Sequence, residues 1–204
     1  MKIILASASP RRAVLFKQMK LSFIVDPSSI VEIVDESLPP SRIVQSLATQ
    51  KGEDVAKRHS DALVVAADTI VCLNEMILGK PESHENAVHM LNKLSKNSHD
   101  VYSGVWVGLT DSNSSLTTSF SFYERTKVTF SALTEQEIDH YVESGSPMDK
   151  AGAYGIQDDR GSLFVKKIDG DFYNVVGFPV HSFYQNLKLL MPHIHQTLFF
   201  ESYE

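Results

Sequence analysis

The side chains best suited to chemistry are cations set in an acidic chain: Arg11 and Arg12, Lys80, Lys150, and Lys51 at the end of a helical stripe. Two acids accompany them at strand or turn ends, Glu32 and Asp68. Lysine and arginine hold phosphate oxygens, whereas carboxylates hold a hard cation such as magnesium through oxygen ligands. The mixture suits a polyphosphate bound together with a divalent ion. Such an ion neutralises charge developing on a phosphoryl group, and a carboxylate can orient or deprotonate the attacking water. Taken alone, these residues define a phosphate-ligand α/β protein and no more.

The first dozen residues carry the densest part of the pattern. Lys2-Ile3-Ile4-Leu5-Ala6 reads as a strand that empties into Ser7-Ala8-Ser9-Pro10-Arg11-Arg12, where a helix begins. Ser9 suits the N-cap, and Pro10 suits the first helical position because it has no N–H to lose there. The free N–H groups and dipole of that helix attract anions, and Ser7, Ser9 and the two guanidinium groups add donors. A capped helix with solvated arginines would use the same residues, so what faces them decides.

Residues 62–67 form a continuous apolar run, as in a strand buried on both faces. The run reads as breaking at Asp68-Thr69 and resuming over 70–73. A carboxylate there is costly to bury unless paired, hydrogen-bonded or bound to metal; a turn aspartate bonding its own backbone is the alternative. Glycine and proline flank Lys80 in Gly79-Lys80-Pro81 and restrict its backbone. This is not a Walker loop, because the spaced glycines and the Lys-Ser/Thr pair are missing. A lysine placed like Lys51 ordinarily complements a helix dipole. In Asp149-Lys150-Ala151-Gly152-Ala153-Tyr154-Gly155-Ile156-Gln157, small residues let the backbone approach a ligand, and Lys150 and Gln157 supply a charge and an amide.

The remaining elements frame these segments. Residues 21–25 alternate like a strand, and Ser41 reads as the cap of a helix with Ile43, Val44, Leu47 and Ala48 on its apolar face. Ser83 caps a second helix, and residues 101–109 pair as a hairpin with a strand through Phe120 and Phe122 that continues over 127–130. Thr134 and Glu137 make a capping box. Residues 163–168 and 172–176 read as a hairpin across Asp169-Gly170, followed by a last amphipathic helix through Val180, Phe183, Leu187 and Leu190. His193 and His195 fall in a frayed, solvated tail. Without repeats or linkers, residues 1–204 read as one domain with two lobes.

Bulk properties narrow the classes. A chain of 204 residues buries a substantial core without staples. Its formal charge of −6 provides no general basic field for nucleic acid, so an anion site must be a local cluster. Cys72 is the single cysteine and sits in an apolar run, which suggests a buried thiol in a reducing cytoplasm. No stretch has the length of a membrane span, and the N-terminus lacks the long apolar region of a signal peptide.

Five segments occur in order: Ser7-Ala8-Ser9-Pro10-Arg11-Arg12, Ala67-Asp68-Thr69, Gly79-Lys80-Pro81, the stretch from Asp149 to Gln157, and Gly170-Asp171-Phe172-Tyr173-Asn174-Val175-Val176-Gly177. Together they resemble the Maf family of nucleoside triphosphate pyrophosphatases, over residues 2–190. The resemblance implies an α/β fold, with an elongated mixed β-sheet flanked by helices and two lobes around a central cleft, as in inosine triphosphate pyrophosphatases. It implies cleavage between the α and β phosphates, giving a nucleoside monophosphate and pyrophosphate. On the matching positions, Asp68 would accept the proton of the attacking water. Ser7, Arg12, Lys51 and Lys80 would hold the phosphates, with Lys150 counted among the substrate-binding groups. Glu32 and Asp68 would hold a divalent metal cation (magnesium, manganese or cobalt), although Asp35-Glu36 offers another alignment for Glu32.

Arg11, Thr69 and Gln157 match the branch of the family that hydrolyses dTTP and UTP. A threonine hydroxyl and a glutamine amide offer both donors and acceptors to a pyrimidine edge. Two departures stand out. Gly52 stands where alanine commonly follows the lysine, and Asp158-Asp159-Arg160 stands where a glycine commonly follows the glutamine. The resemblance further implies a homodimer and a nucleoside triphosphate as partner, while charge and the lack of a long apolar run argue against nucleic acid and membrane. A nucleotide-binding regulator of cell division or septum formation, and a 7-methyl-GTP pyrophosphatase, are the alternative readings.

Overall fold

Alternation of side chains along two parallel strands sets the architecture. In the computed structural model, which describes residues 1–157 and 160–201, β1 (Lys2–Leu5) pairs in parallel with β2 (Ile24–Val25) and with β3 (Ala62–Leu73). On its other edge β3 runs antiparallel to β5 (Ser98–Thr110), which pairs with β6 (Leu116–Phe130), which pairs with β7 (Val165–Asp169). The short strand β4 (Met76–Leu78) joins β3 antiparallel, so the order is β2-β1-β3-β5-β6-β7 with β4 beside β3.

Successive side chains point to opposite faces of a strand. Ile3, Leu5, Leu63, Val65 and Ala67 therefore share one face, in the larger core with α1 (Pro10–Gln18), α3 (His84–Leu94), α4 (Glu135–Glu143) and α7 (Val180–Leu190). Ile4, Ala6, Val64 and Ala66 share the other face with Trp106, against Ala48 and Val55 of α2 (Pro40–Ala56). Fully burying a Val, Leu or Ile side chain contributes about 1.5–3 kcal/mol, so both helical layers are held on by the sheet. The approach of α2 is close: a Cβ at Gly104 would lie 2.2 Å from the Val44 carbonyl oxygen, and one at Gly52 would lie 2.1 Å from the Trp106 ring.

A notch in the sheet follows from strand lengths. β1 stops at Leu5, opposite Val65, whereas β4 pairs with β3 only from Val71. Among the described residues, 66–70 of β3 thus have no strand partner on that edge, and α1 begins beside the gap. Asp68 and Thr69 lie within it.

Several local expectations change. Asp68-Thr69 is not a break, because Asp68 pairs with Gly104 and Thr69 with Ser103 in the continuous strand β3. The strand expected over 21–25 shrinks to Ile24–Val25, since Leu21 turns into the core instead. Helix α2 starts at Pro40 with Pro39 as N-cap, ahead of Ser41, because proline already has a helical φ and lacks the unsatisfied N–H. Residues 172–176 are a short helix, α6 (Phe172–Val176), and not a strand: Asp171 Oδ1 accepts the Tyr173 and Asn174 N–H groups at 2.7 and 3.3 Å. It follows α5 (Gly161–Phe164) and β7. The tail is helical as α8 (Pro192–Phe200), and His195 is buried against Tyr184, ring centroids 4.5 Å apart. The caps at Ser83 and Thr134 form as expected.

Candidate active site

The notch opens into a cleft of about 420 Å³ between the start of α1, the middle of β3 and the 149–157 segment. All ten residues singled out from the sequence line it: Ser7, Arg11, Arg12, Glu32, Lys51, Asp68, Thr69, Lys80, Lys150 and Gln157. They come from six separate places in the chain, so the topology and not sequence proximity gathers them.

Arg12 is the best-anchored cation. Its Nε donates to the Gly177 carbonyl at 2.8 Å, one terminal nitrogen to Ser7 Oγ at 3.0 Å, and the other to Thr69 Oγ1 at 3.1 Å. Three acceptors from α1's approach, β3 and the end of α6 thus fix a planar fork, which a lysine cannot imitate. Burial lowers its pKa from the ordinary arginine value, partly opposed by the negative charge of Asp68; an arginine stays charged regardless. Ser9 is the N-cap of α1 but makes no side-chain cap. Ser7 Oγ takes the Ser9 N–H instead, at 3.2 Å.

On the opposite face of β3, Asp68 meets α2. Lys51 Nζ donates to Asp68 Oδ1 at 2.6 Å and lies 3.1 Å from Glu32 Oε1. Lys51 and Asp68 are largely buried, whereas Glu32 keeps 40 % of its side chain exposed. Two carboxylates therefore converge on one cation. Among the described residues no group of three His, Cys, Asp or Glu side chains gathers for a metal. Two carboxylates are nonetheless enough for magnesium, which usually takes one or two together with waters and substrate phosphate oxygens. Asp35 and Glu36 do not line the cleft, so the alternative alignment for Glu32 finds no support here.

A second ionic knot closes the other wall. Arg11 donates to Asp149 Oδ2 at 2.8 Å and to the Asp149 carbonyl at 3.3 Å, and Lys150 donates to Asp149 Oδ1 at 2.6 Å and to the Ser146 carbonyl. Burial pushes the Asp149 carboxyl up, but the hydrogen bonds from Lys150 and Arg11 outweigh it and hold the acid below its usual range. Lys80, by contrast, is exposed and makes no hydrogen bond or ion pair among the described residues. Its loop is tied to the 149–157 segment by the Gly152 N–H, which donates to the Gly79 carbonyl at 3.0 Å. Gln157 is exposed at the rim, next to Asp158 and Asp159, which lie outside the described residues.

Three groups escape a reading of residue types. The Gly177 carbonyl is a backbone atom and has no sequence signature. Ser103 Oγ shares a hydrogen bond with Thr69 Oγ1 at 2.8 Å, and only strand register brings it there. Asp149 could have been suspected, because it directly precedes a lysine in a segment already marked.

The model of the family described as "Maf-like protein" matches residues 2–190. A protein of Bacillus cereus (strain G9842) named dTTP/UTP pyrophosphatase is 48% identical over 187 residues, spanning 92% of this chain and 94% of that protein. A protein of the same name from Bacillus mycoides (strain KBAB4) is also 48% identical over 187 residues, with the same shares. Among solved structures, the Staphylococcus aureus Ham1 protein matches at 20% identity with a TM-score of 0.43, over 64% of this chain and 72% of that one. No helix among the described residues is long and apolar enough to cross a membrane. With a family model spanning nearly the whole sequence and close to half of all aligned residues shared with these relatives, the chain belongs to the Maf-like protein family.

Proposed function

We propose that this chain hydrolyses dTTP and UTP to the nucleoside monophosphate and pyrophosphate. The observation that carries the reading is the convergence of Arg12, Lys51, Asp68 and Lys80 on one cleft at the end of a strand and the start of a helix, where anions are favoured. The names of the relatives from Bacillus cereus and Bacillus mycoides supply the substrate class.

In this reading Asp68 holds the attacking water and takes its proton. Its Oδ1 is engaged by Lys51, and among the described residues Oδ2 has no protein partner, which leaves it for the water. Ser7, Arg12 and Lys80 hold phosphate oxygens, Arg12 from a fixed fork and Lys80 as an exposed point charge. Glu32 and Asp68 hold a divalent cation, magnesium, manganese or cobalt; when bound, it neutralises charge that builds on the phosphoryl oxygens. With that ion sharing the carboxylates, Lys51 becomes available to phosphate as well. Lys150 reaches the substrate from the 149–157 segment, and Arg11, Thr69 and Gln157 select the pyrimidine. We read the chain as one domain whose two lobes flank the cleft, working in the cytoplasm as a homodimer; sedimentation of the purified chain tests the dimer.

The deciding experiment is pyrophosphate release from a panel of nucleoside triphosphates, each with magnesium, manganese or cobalt. Turnover of dTTP and UTP ahead of 7-methyl-GTP is expected. Absence of turnover with any pyrimidine triphosphate overturns the proposal.

A further inference from the structure

Glu32 is carried by an irregular segment, residues 26–39, between β2 and α2. Segments of that length without secondary structure are uncommon in compact domains and are usually functional. Packing does not hold this one in place. Val31 is 91% exposed and Ile33 75%, and Val34 and Leu38 are exposed as well. An apolar stretch that buries so little must be held by polar contacts if Glu32 is to stay at one place.

Those contacts come from one face of α2 and its continuation. Gln50, Asp54 and Arg58 are spaced four apart, so they line up along the helix surface. Gln50 Oε1 accepts the Ile33 N–H at 2.9 Å, and Gln50 Nε2 donates to the Ile33 carbonyl at 2.9 Å. The side-chain amide thus satisfies both backbone groups of one residue, as a neighbouring strand would. This pairing also fixes which end of the amide is oxygen, because the N–H needs an acceptor and the carbonyl a donor. Gln50 Nε2 is steadied further by Ser46 Oγ at 3.2 Å. One turn on, Asp54 Oδ2 accepts from Ser28 Oγ at 2.9 Å and from Arg58 at 3.0 Å. Arg58 then reaches Asp26 Oδ2 and the Pro27 carbonyl, both at 3.2 Å.

Gln50 and Lys51 are consecutive, and so are Glu32 and Ile33. The amide therefore clamps the residue next to the carboxylate, on the helix residue next to the lysine that the carboxylate meets. We propose that Gln50 is a positioning residue for Glu32, with Asp54 and Arg58 holding the other end of the same strap, so that divalent-ion affinity is set from the outer face of α2. The inference rests on the reading of Glu32 as a metal ligand given above. Groups that orient a metal ligand are worth 10–100-fold in metal affinity, and a half-buried clamp at the rim belongs near roughly tenfold.

The test compares wild type, Gln50→Ala, Asp54→Ala and Glu32→Gln, with magnesium as the probe metal. Two quantities are read: the exchange rate of the Ile33 amide hydrogen, and the magnesium concentration giving half-maximal pyrophosphate release from dTTP. Gln50→Ala is expected to speed Ile33 exchange and to raise the magnesium midpoint several-fold toward that of Glu32→Gln. Asp54→Ala is expected to move both quantities in the same direction by less. If Glu32→Gln raises the midpoint and Gln50→Ala does not, the positioning role is wrong while the ligand reading stands. If Glu32→Gln leaves the midpoint unchanged, the ligand reading fails and the positioning role falls with it. Unchanged Ile33 exchange in Gln50→Ala also overturns the proposal, since the strap would then be held by something else.

Discussion

Lys51 Nζ approaches Asp68 Oδ1 to 2.6 Å, joining the middle of α2 to the middle of β3. The contact crosses the layer where Gly104 stands opposite Asp68 in the strand register and lets the helix backbone close on the sheet. The acid is thus held at a fixed place in the notch with one oxygen engaged. Asp68→Asn keeps the shape, and its Oδ1 still accepts from Lys51, but it can no longer take a proton. We expect turnover of dTTP to fall by about 10²–10⁴, the usual contribution of a general base. Binding of a non-hydrolysable analogue should persist. A variant with a tenth or more of wild-type turnover would assign the proton acceptor elsewhere.

Arg12 links Ser7, Thr69 and Gly177 directly, which makes it a tie between three elements as well as a cation. Arg12→Lys retains the charge and loses the fork. Each hydrogen bond to a charged group is worth roughly 1.5–3 kcal/mol, and some are regained by an ammonium, so a net loss of about 1–3 kcal/mol in unfolding free energy is expected. KM for dTTP should rise by at least tenfold. Denaturant titration and steady-state kinetics check both, and a variant unchanged in either would remove that part of the argument.

What the sequence reveals about this site depends on the kind of atom involved. Asp68 is legible because a carboxylate interrupts an apolar run, and Arg12 because it opens a helix beyond a strand. The continuity of β3 through Asp68 is not legible, since it depends on pairing with Gly104, a residue 36 positions away in the register. Phe172–Val176 alternates well enough to pass for a strand, and only the Asp171 cap, a three-residue geometry, makes it helical. His195 reads as solvated because Tyr184, which covers it, comes from α7, and Phe199 joins only once the tail is helical. Gln50 leaves no trace at all, because a surface glutamine acquires its partner only when the 26–39 segment lies across α2.

Gly52, where the resemblance implies alanine, lies under a buried indole. A Cβ at this position would lie 2.1 Å from Trp106 Cε3, inside any real contact distance, and Trp106 is buried. The large indole fills the space that an alanine methyl would need. Gly52→Ala should therefore destabilise the fold by about 1–3 kcal/mol, the range for overpacking a filled core. It should also disturb Lys51, its neighbour. Trp106→Phe removes the clashing ring, so the double variant should be more stable than the sum of the two single effects by more than 0.5 kcal/mol or so, beyond what independent sites show. Additive effects would mean that the two residues are not in competition.

His99 should make the fold acid-sensitive beneath the 149–157 segment. Its ring is 2% exposed, Nε2 lies 2.8 Å from the Tyr154 hydroxyl, and Phe130 packs edge-on at 5.1 Å. Burial pushes its pKa down to about 4, with the charge of Asp100 opposing. A folded-state value below the unfolded one means that the unfolded chain binds the proton first. Stability from the neutral ring is thus complete above the unfolded pKa of about 6.5 and is lost as pH falls from there toward about 4. The loss reaches roughly 2 kcal/mol by pH 5. Carboxylates held below their usual range, Asp149 among them, also weaken the fold in acid, so the comparison must be with a variant. His99→Gln removes the titrating ring, and its unfolding free energy should fall less steeply than that of wild type between pH 7 and pH 5. Equal slopes in urea titrations at the two pH values would show that His99 is not held neutral by the fold.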